Sequence, residues 1–400
     1  MAFTPLRVGH KLINQCCNAL VPRISIFKIQ HASISGKTMR TEQVEKPKPW
    51  PYKERGYSNL QAYFDYTTKR LDDNSKVILV EGLPCIGKTE VAKGLAEELG
   101  MKHFPMVTMD SYYINAYGYD MRKLDPQIPS HLRSFSLEDF IKNPSDDRTP
   151  ILQFTMFYQK LFQYIDGLAH LLNTGQGVIL ERSVYSDLVF FETLFALKHV
   201  DRWERKGYYE WRDIALPELM KPHLVVYLDA SPATVEENLK RRGKGEEKHI
   251  NKNFLEILDK NYKEQFLQTI SEHAEVLVYD WNTPGDPEII VEDIETIDFD
   301  RFDILDPKMG DWRLKEEWDW NEKRYNFTHG SSRAILANGL LHHYTESTPR
   351  LNWTAQEALV MNKIIESAPG MKYETGYNVD QGDNILFKTK DHTPFVRDQH

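Results

Sequence analysis

The residues of this 400-residue chain that are best suited to chemistry lie in one short stretch, Glu81-Gly-Leu-Pro-Cys-Ile-Gly-Lys-Thr-Glu90. It contains the complete phosphate-loop pattern G-x-x-x-x-G-K-S/T, in which glycines let backbone N–H groups converge on phosphate oxygens. A helix that begins at the lysine would add partial positive charge at its N-terminus. The lysine would neutralise the β- and γ-phosphates, and the threonine hydroxyl would bind Mg²⁺. We therefore predict that nucleotide phosphates bind at Gly82, Cys85, Ile86, Gly87, Lys88 and Thr89.

A second candidate group, Glu181-Arg182-Ser183, directly follows the apolar run Gly177-Val-Ile-Leu180. A carboxylate that ends a strand beside a phosphate loop can hold Mg²⁺ directly or through water, and an arginine there can contact phosphate. We predict that Glu181 shares a magnesium site with Thr89 and that Arg182 binds phosphate. The tripeptide by itself is common, so the prediction rests on its position after a strand.

A third candidate group is the basic cluster in Leu239-Lys-Arg-Arg-Gly-Lys-Gly-Glu-Glu247, at the end of a predicted helix. Cations on a mobile loop can close over a nucleotide, so we predict that Arg242 and Lys244 bind phosphate. The alternative is a solvated helix end whose positive charges complement the helix dipole. The presence of the other two groups favours the first interpretation, a lid that closes over the nucleotide.

These groups need a scaffold, and strand-like and helix-like segments alternate along the chain. Buried strands are predicted at residues 76–80, 177–180, 223–228 and 276–279. Helices are predicted at residues 88–99, 149–172, 186 to about 200, 232–242, 251 to about 273 and 287–297. This alternation predicts an α/β fold, a parallel sheet with helices on both faces, whose ligands bind beyond the carboxyl ends of the strands. The stretch 106–135 is predicted to be a long loop or a short hairpin.

The first 41 residues contain six lysines and arginines and no acidic residue, together with many serines and isoleucines. This composition is typical of a mitochondrial presequence, with a disordered basic arm as the alternative. Residues 42–74 follow as a charged, proline-rich tether. Cys16 and Cys17 would leave with the presequence, and Cys85 alone would remain. That excludes an internal disulfide and fits a reducing compartment such as the mitochondrial matrix.

Composition excludes several classes of protein. Hydrophobic residues make up 41% of the chain and aromatic residues 12%, which is enough for a sizeable core. No uncharged apolar run approaches the roughly 18 to 20 residues of a membrane-spanning helix, so the chain is predicted to be at most peripheral to a membrane. Without the presequence, 44 lysines and arginines would face 59 acids, and the net charge of −15 argues against nucleic-acid binding. A single cysteine cannot supply a four-thiolate iron–sulfur cluster.

Together the three groups resemble the deoxynucleoside kinase family, whose members are P-loop α/β proteins, over about residues 75–280. Glu181-Arg-Ser-Val-Tyr-Ser-Asp187 matches the family's E-R-S motif, and Arg242-Gly-Lys-Gly-Glu-Glu247 matches its lid. The resemblance implies that Glu181 is a magnesium-linked carboxylate, that Asp187 faces the base, and that Glu247 accepts from the sugar 3′-hydroxyl. Further contacts to the base are expected from Tyr158 and Gln159 on the helix at 149–172.

The sequence departs from that family where the acceptor alcohol would be activated. The family has a Glu-Pro-x-x-x-Trp segment after the first helix, and its glutamate is the general base on the nucleoside 5′-hydroxyl. Here the corresponding stretch is Lys102-His-Phe-Pro-Met-Val-Thr-Met-Asp110, and the next glutamate after Glu98 is Glu138. In the lid, Asn238 and Lys244 stand where arginines are usual, and lysine lacks the planar fork that bridges phosphate oxygens. We therefore assign no catalytic residue and expect binding without significant turnover.

Two further stretches, Asn173–Phe190 and Pro369–Asp383, resemble one branch of this family, the kinase-like accessory subunits of mitochondrial NADH:ubiquinone oxidoreductase (complex I). This resemblance extends from about residue 75 to the C-terminus. It implies a non-redox subunit on the matrix side of the inner membrane that supports assembly and has other complex I subunits as partners. It also implies a bound purine nucleotide or deoxynucleotide, possible Mg²⁺, and no FAD, FMN or iron–sulfur cluster in this subunit.

The expected organisation is a presequence (1–41), a tether (42–74), a kinase-like domain (75–298) and a C-terminal extension (299–400). The extension is rich in aromatic residues and has one predicted helix, near 354–367. It either packs on another protein or wraps its own domain. Two other functions stay open: an active mitochondrial deoxynucleoside kinase whose base would be Asp110 or Asp120, and a structural subunit with an empty pocket.

Overall fold

The computed structural model describes residues 34–37, 46–58, 60–243, 250–303, 305–329, 336, 340 and 354–389. Its centre is a sheet formed by five strands: β1 (Val77–Gly82), β2 (Lys102–Phe104), β3 (Val178–Glu181), β4 (Leu224–Asp229) and β5 (Glu275–Asp280). All pairs are parallel, in the order β2-β3-β1-β4-β5. The predicted α/β fold is confirmed. Strand β2 was not predicted, because three residues are too few to show an alternation of apolar and polar side chains.

Twelve described helices accompany the sheet, and none of them has both the length and the apolar character needed to cross a membrane. They are α1 (Lys88–Leu99), α2 (Met109–Tyr113), α3 (Leu137–Lys142), α4 (Thr149–Thr174), α5 (Asp187–Ala196), α6 (Arg202–Ala215), α7 (Pro232–Arg242), α8 (Lys252–Asn261), α9 (Leu267–Ser271), α10 (Pro287–Glu295), α11 (Glu317–Thr328) and α12 (Ala355–Glu366). The predicted bounds of α1 and α7 are confirmed. A π-helical turn, Tyr262–Phe266, joins α8 to α9.

Two predictions of secondary structure need correction. Helix α5 ends at Ala196 and not near residue 200, because Lys198 adopts a left-handed backbone (φ 61°) that turns the chain. Helix α6, capped by Asp201, and helix α11 were not predicted. The stretch 106–135 contains α2 and an isolated antiparallel bridge between Ile114 and Asp120, so of its two predicted forms the short hairpin is the one that fits, and we call it the hairpin-like excursion.

Part of the segment predicted to be a presequence lies against the domain. Ile34 is buried in the main core, and the Ser35 N–H donates to Asn74 Oδ1 at 3.0 Å. The Lys37 N–H donates to the backbone oxygen of Glu98, at the end of α1. The remaining residues up to 45, including Cys16 and Cys17, lie outside the described part, so the presequence stays a prediction. Its boundary at residue 41 is at odds with these contacts, because cleavage there would remove a core side chain.

The C-terminal extension shares the core of the kinase-like domain through one fully buried arginine on α11. The Arg324 side chain is 0% exposed; its Nε donates to Asn173 Oδ1 at 2.8 Å and its Nη2 to Asp65 Oδ2 at 2.9 Å. The guanidinium also lies 3.9 Å from the centre of the Tyr57 ring. One side chain therefore joins the extension to the tether and to the end of α4.

We expect Arg324→Ala to lower the free energy of unfolding by about 3–5 kcal/mol. The substitution removes the guanidinium and leaves Asp65 and Asn173 without their hydrogen-bond donor. Lys323→Ala, one residue earlier and partly exposed, is the control and should change stability by less than about 0.5 kcal/mol. Urea titration followed by tryptophan fluorescence measures both. Equal midpoints for the two variants would show that the arginine does not hold the extension.

Candidate functional site

The phosphate loop follows β1 and has the backbone that its sequence predicts. Gly82 (φ 141°) and Gly87 (φ 83°) both lie in the region that favours glycine, and Cys85 (φ 58°) between them is also left-handed. A Cβ at Gly82 would lie 2.5 Å from the Leu228 carbonyl oxygen on β4, so only glycine fits there. Because α1 begins at Lys88, its free N–H groups face the space that the loop encloses.

Lys88 is buried within this loop and donates to the Leu83 carbonyl oxygen. Burial, and then the nearby positive charge of Arg182, hold the pKa of the Lys88 ammonium well below its usual value. A buried cation close to a second cation is stabilised by an anionic group placed between them. The loop is therefore arranged to hold a phosphate.

Arg182 is the first residue after β3, the strand that pairs with β1. Its N–H donates to the Val80 oxygen at 3.1 Å and its backbone is left-handed (φ 62°), so the chain turns sharply after β3. The side chain is 5% exposed, lies 4.6 Å from the Phe190 ring centre, and donates from Nη1 to the Tyr262 hydroxyl. Its Nε has no hydrogen-bond partner among the described residues. A buried donor of this kind at the cleft fits a phosphate oxygen.

The two predicted magnesium ligands are brought together. Thr89 Oγ1 donates to Glu181 Oε2 at 2.8 Å, although the two residues are far apart in the sequence. The other carboxylate oxygen lies 2.6 Å from His103 Nε2 on β2. A hydroxyl and a carboxylate are ligands that Mg²⁺ accepts when phosphates and water complete its shell. The donor set fits Mg²⁺ at Thr89 and Glu181, and His103, which the sequence did not indicate, orients the carboxylate.

The beginning of the lid lies over the phosphate loop. Arg242 Nη1 is 3.3 Å from Cys85 Sγ, so two residues that were predicted to bind phosphate are in contact. Arg241 Nη2 donates to Asn238 Oδ1, and both side chains line the cleft. Lys244 and Glu247 lie outside the described residues, so their roles stay predictions.

Asp187, which was predicted to face the base, has three hydrogen-bond partners next to the cleft. Asp187 is fully buried and does not line the cleft; it accepts from Gln153 Nε2 at 2.8 Å, from Lys160 Nζ and from the Tyr208 hydroxyl. Gln153 and Lys160 line the cleft instead. The acid therefore orients side chains that line the cleft, and its predicted direct contact with the base stays a prediction.

Tyr158 and Gln159 are not among the residues that line the cleft. The Tyr158 ring lies 4.5 Å from that of Phe162, and Gln159 Oε1 accepts from Ser111 Oγ at 3.3 Å. On α4 the lining positions are 149, 152, 153, 156 and 160, which share one face at helical spacing. The helix was predicted correctly, but the sequence did not show which of its faces meets the cleft.

On the acceptor side, the two acids that could substitute for the base are both paired, whereas Glu138 of α3 lines the cleft with no partner among the described residues. Phe104, which precedes Pro105, is 9% exposed and packs 6.2 Å from the His170 ring. Asp110 and Asp120, the two possible substitutes, are both paired with Arg122, at 2.7 and 2.8 Å. Hydrogen bonds from Arg122 also lower the pKa of the Asp120 carboxyl, which makes it a weaker base.

The phosphate loop, Glu181, Arg182 and one face of α4 border an open cleft with a volume of about 1770 Å³. This exceeds the roughly 300–1,000 Å³ of a typical small-molecule pocket, so a whole nucleotide fits. Its lining combines cationic side chains with apolar ones. The described lining includes Cys85, Ile86, Gly87, Lys88, Thr89, Asp110, Arg122, Gln153, Lys160, Glu181, Arg182, Phe190, Asn238, Arg241 and Arg242. Gly82 and Asp187 lie behind this surface and shape it.

The chain is similar to known proteins over two different lengths. The deoxynucleoside kinase family model matches residues 78–306. "Deoxyguanosine kinase" of Dictyostelium discoideum is 28% identical over 233 residues, which cover 58% of this chain and 73% of that protein. "NADH dehydrogenase (ubiquinone) 1 alpha subcomplex subunit 10, mitochondrial" of Mus musculus is 34% identical over 325 residues, or 81% of this chain and 86% of that one. A solved deoxyadenosine kinase from M. mycoides with bound dCTP is 21% identical, covers 55% of this chain and all of its own, and gives a TM-score of 0.42.

We expect Gly82→Ala to destabilise the chain by at least about 1–3 kcal/mol, since a side chain there needs an unfavourable φ and meets the Leu228 oxygen. Thermal unfolding measures the change. Gly56→Ala is the matched control, because a Cβ at Gly56 meets no atom within 4 Å. An unchanged melting temperature for Gly82→Ala would contradict the backbone described for the loop.

Proposed function

Because this chain belongs to the deoxynucleoside kinase family, we propose that it binds a purine nucleotide or deoxynucleotide in its cleft and does not turn it over significantly. The observation that carries the proposal is the convergence of two buried cations, Lys88 and Arg182, at the N-terminus of α1. The phosphates would lie between them, with Arg242 above. A purine base is favoured by relatives named deoxyguanosine kinase and deoxyadenosine kinase.

The absence of turnover is proposed from the acceptor side. General-base assistance contributes about 10²- to 10⁴-fold to the rate of such reactions. The residue before Pro105 is a buried phenylalanine, and Asp110 and Asp120 share one arginine. Two other acids at the cleft have structural partners: Asp139 completes the capping box of α3, and Glu181 is bonded to Thr89 and His103. Glu90 and Glu138 also line the cleft, but neither lies in the stretch 102–110 that corresponds to the family's base. The nucleotide would then be a bound structural ligand.

Mg²⁺ would be held by Thr89 and Glu181 together with the phosphates. It would neutralise phosphate charge and fix the phosphate conformation. Among the described residues, no group of three or more His, Cys, Asp or Glu side chains could hold a metal by protein ligands alone. In the proposed site, phosphate oxygens and water would supply the remaining ligands.

We further propose that the chain is an accessory, non-redox subunit of mitochondrial complex I, on the matrix side of the inner membrane, where it supports assembly. The relatives that match most of its length are named as subunits of NADH dehydrogenase (ubiquinone) and as mitochondrial. Their match extends well beyond the kinase-like domain, whereas the Dictyostelium kinase matches little more than that domain. The first 41 residues, which contain no acidic residue and are interpreted as a presequence, support a mitochondrial location.

A second candidate function is an active mitochondrial deoxynucleoside kinase. One observation favours it: the Asp110 side chain is 57% exposed and lines the cleft, so a small movement away from Arg122 would free it to accept a proton. The phosphate loop is complete in either case. The two functions differ only in what happens to an added acceptor alcohol.

Lys88→Ala should lower the amount of nucleotide retained by the purified protein at least tenfold, because it removes the cation inside the phosphate loop. Nucleotide is measured by chromatography after denaturation of natively purified protein. Lys93→Ala, on the exposed side of the same helix, is the control and should retain the wild-type amount. Equal retention in both variants, or no nucleotide in the wild type, would contradict the binding proposal.

Purified wild-type protein supplied with Mg²⁺-ATP and deoxyguanosine or deoxyadenosine should transfer phosphate at least about 10²-fold more slowly than the 1–100 s⁻¹ typical of kinases. Asp110→Asn should leave that low rate unchanged, because no base is lost. Transfer of labelled phosphate measures both. A rate in the kinase range that Asp110→Asn abolishes would establish the second candidate function.

A further inference from the structure

The C-terminal extension presents three consecutive apolar side chains to solvent. Ile385, Leu386 and Phe387, here called the apolar loop, are 61%, 77% and 73% exposed. Val379, in the same part of the extension, is 55% exposed. Single exposed apolar residues are ordinary on protein surfaces, but an exposed run of them indicates a surface that contacts something else.

The apolar loop is held in one conformation by hydrogen bonds at its base. Asn384 Oδ1 accepts from the N–H groups of Leu386 and Phe387, at 2.8 and 3.2 Å. The Asn384 N–H donates to Thr389 Oγ1, and the Thr389 N–H donates to the Gly376 oxygen. The three side chains are therefore exposed by a defined turn. A preformed turn loses little conformational entropy when it binds a partner.

The turn stands on a buried platform. The Tyr117 hydroxyl donates to Asp383 Oδ2 and accepts from the Gly376 N–H at 2.8 Å. Asp383 also accepts from the N–H of Asn378, which is fully buried. At Gly370 a Cβ would meet the Tyr117 ring at 2.1 Å, so the chain passes directly against that ring. Tyr117 belongs to the hairpin-like excursion after α2, which fixes the extension to the kinase-like domain.

The charges around the apolar loop favour a protein partner over a lipid surface. Lys372 and Lys388 are accompanied by Glu374, Asp380 and Asp383, so acids outnumber bases here. Lys388 is also paired with Glu374 at 3.4 Å. An anionic leaflet attracts clusters of four or more basic residues near the membrane, and this surface has none among the described residues.

The comparisons differ in how much of the chain they match. Relatives named as complex subunits match 325 residues, which must include residues outside 78–306, whereas the relatives named as kinases match 233 and 218 residues. The apolar loop is not among the described residues that line the cleft, so assembly is the role that this surface fits best. The occupant favoured by these observations is another protein subunit.

We propose that the apolar loop inserts into an apolar pocket of a neighbouring protein subunit and so anchors this chain in its assembly. The inference rests on the proposed function as an accessory subunit. Leu386 and Phe387 fill the pocket, and the mixed charges of Lys388, Glu374 and Asp380 form the polar rim that such interfaces have.

The test uses the full chain, expressed in cells depleted of the endogenous protein. The variant Leu386→Ser/Phe387→Ser is compared with Leu305→Ser/Ile289→Ser, which changes two exposed apolar residues elsewhere. We expect the first variant to be at least tenfold depleted from the assembly on native gels, while its melting temperature and its retained nucleotide equal those of the wild type. The second variant should assemble normally.

Each alternative outcome overturns the inference in a distinguishable way. Normal assembly of Leu386→Ser/Phe387→Ser would show that the loop is not an anchor, and the proposed function would be unaffected. Absence of the wild type itself from the assembly would refute both. A dimer seen by analytical ultracentrifugation for the wild type and lost in the variant would identify a second copy as the occupant. Loop-dependent binding to cardiolipin-containing vesicles would identify a membrane.

Discussion

The cleft depends on two parallel strands that end side by side. β1 and β3 pair with Val80 opposite Glu181, and the ladder continues one step further, where the Arg182 N–H donates to the Val80 oxygen. The phosphate loop leaves β1 at this edge, and the left-handed Arg182 turns the chain away from β3. Backbone pairing thus brings Glu181 within hydrogen-bond distance of Thr89.

The groups that would hold the phosphate and the groups that would activate an acceptor come from different parts of the sheet. The phosphate-holding groups lie at the central strands β1, β3 and β4, and each of these strands has two neighbours. The groups that would activate an acceptor would follow β2, an edge strand of three residues. The segment after β2 makes contacts with the extension, as between Asn115 Nδ2 and the Pro369 oxygen at 2.8 Å. Change on the acceptor side is therefore compatible with an intact phosphate loop.

The extension is ordered because it completes buried networks that it does not form by itself. Burying the Arg324 guanidinium is costly, and desolvation lowers its pKa, but Asp65, Asn173 and the Tyr57 ring surround it. A second contact joins α12 to the excursion after α2, through a small apolar cluster that includes Leu124 and Met361. Most of the described extension therefore wraps its own domain. The apolar loop is the part that is left for another protein.

The sequence by itself determined the features that depend on neighbouring residues. The strands at 76–80 and 223–228, the bounds of α1 and α7, and the phosphate loop follow from local apolar runs, caps and glycines, which act over a few residues. Tertiary structure decided which distant side chains meet. It placed His103 against Glu181, oriented the face of α4 that carries Gln153 and Lys160 toward the cleft, and paired Arg122 with both possible bases. These contacts join segments that only the sheet order and the packing of helices on it bring together, and no local pattern records that order.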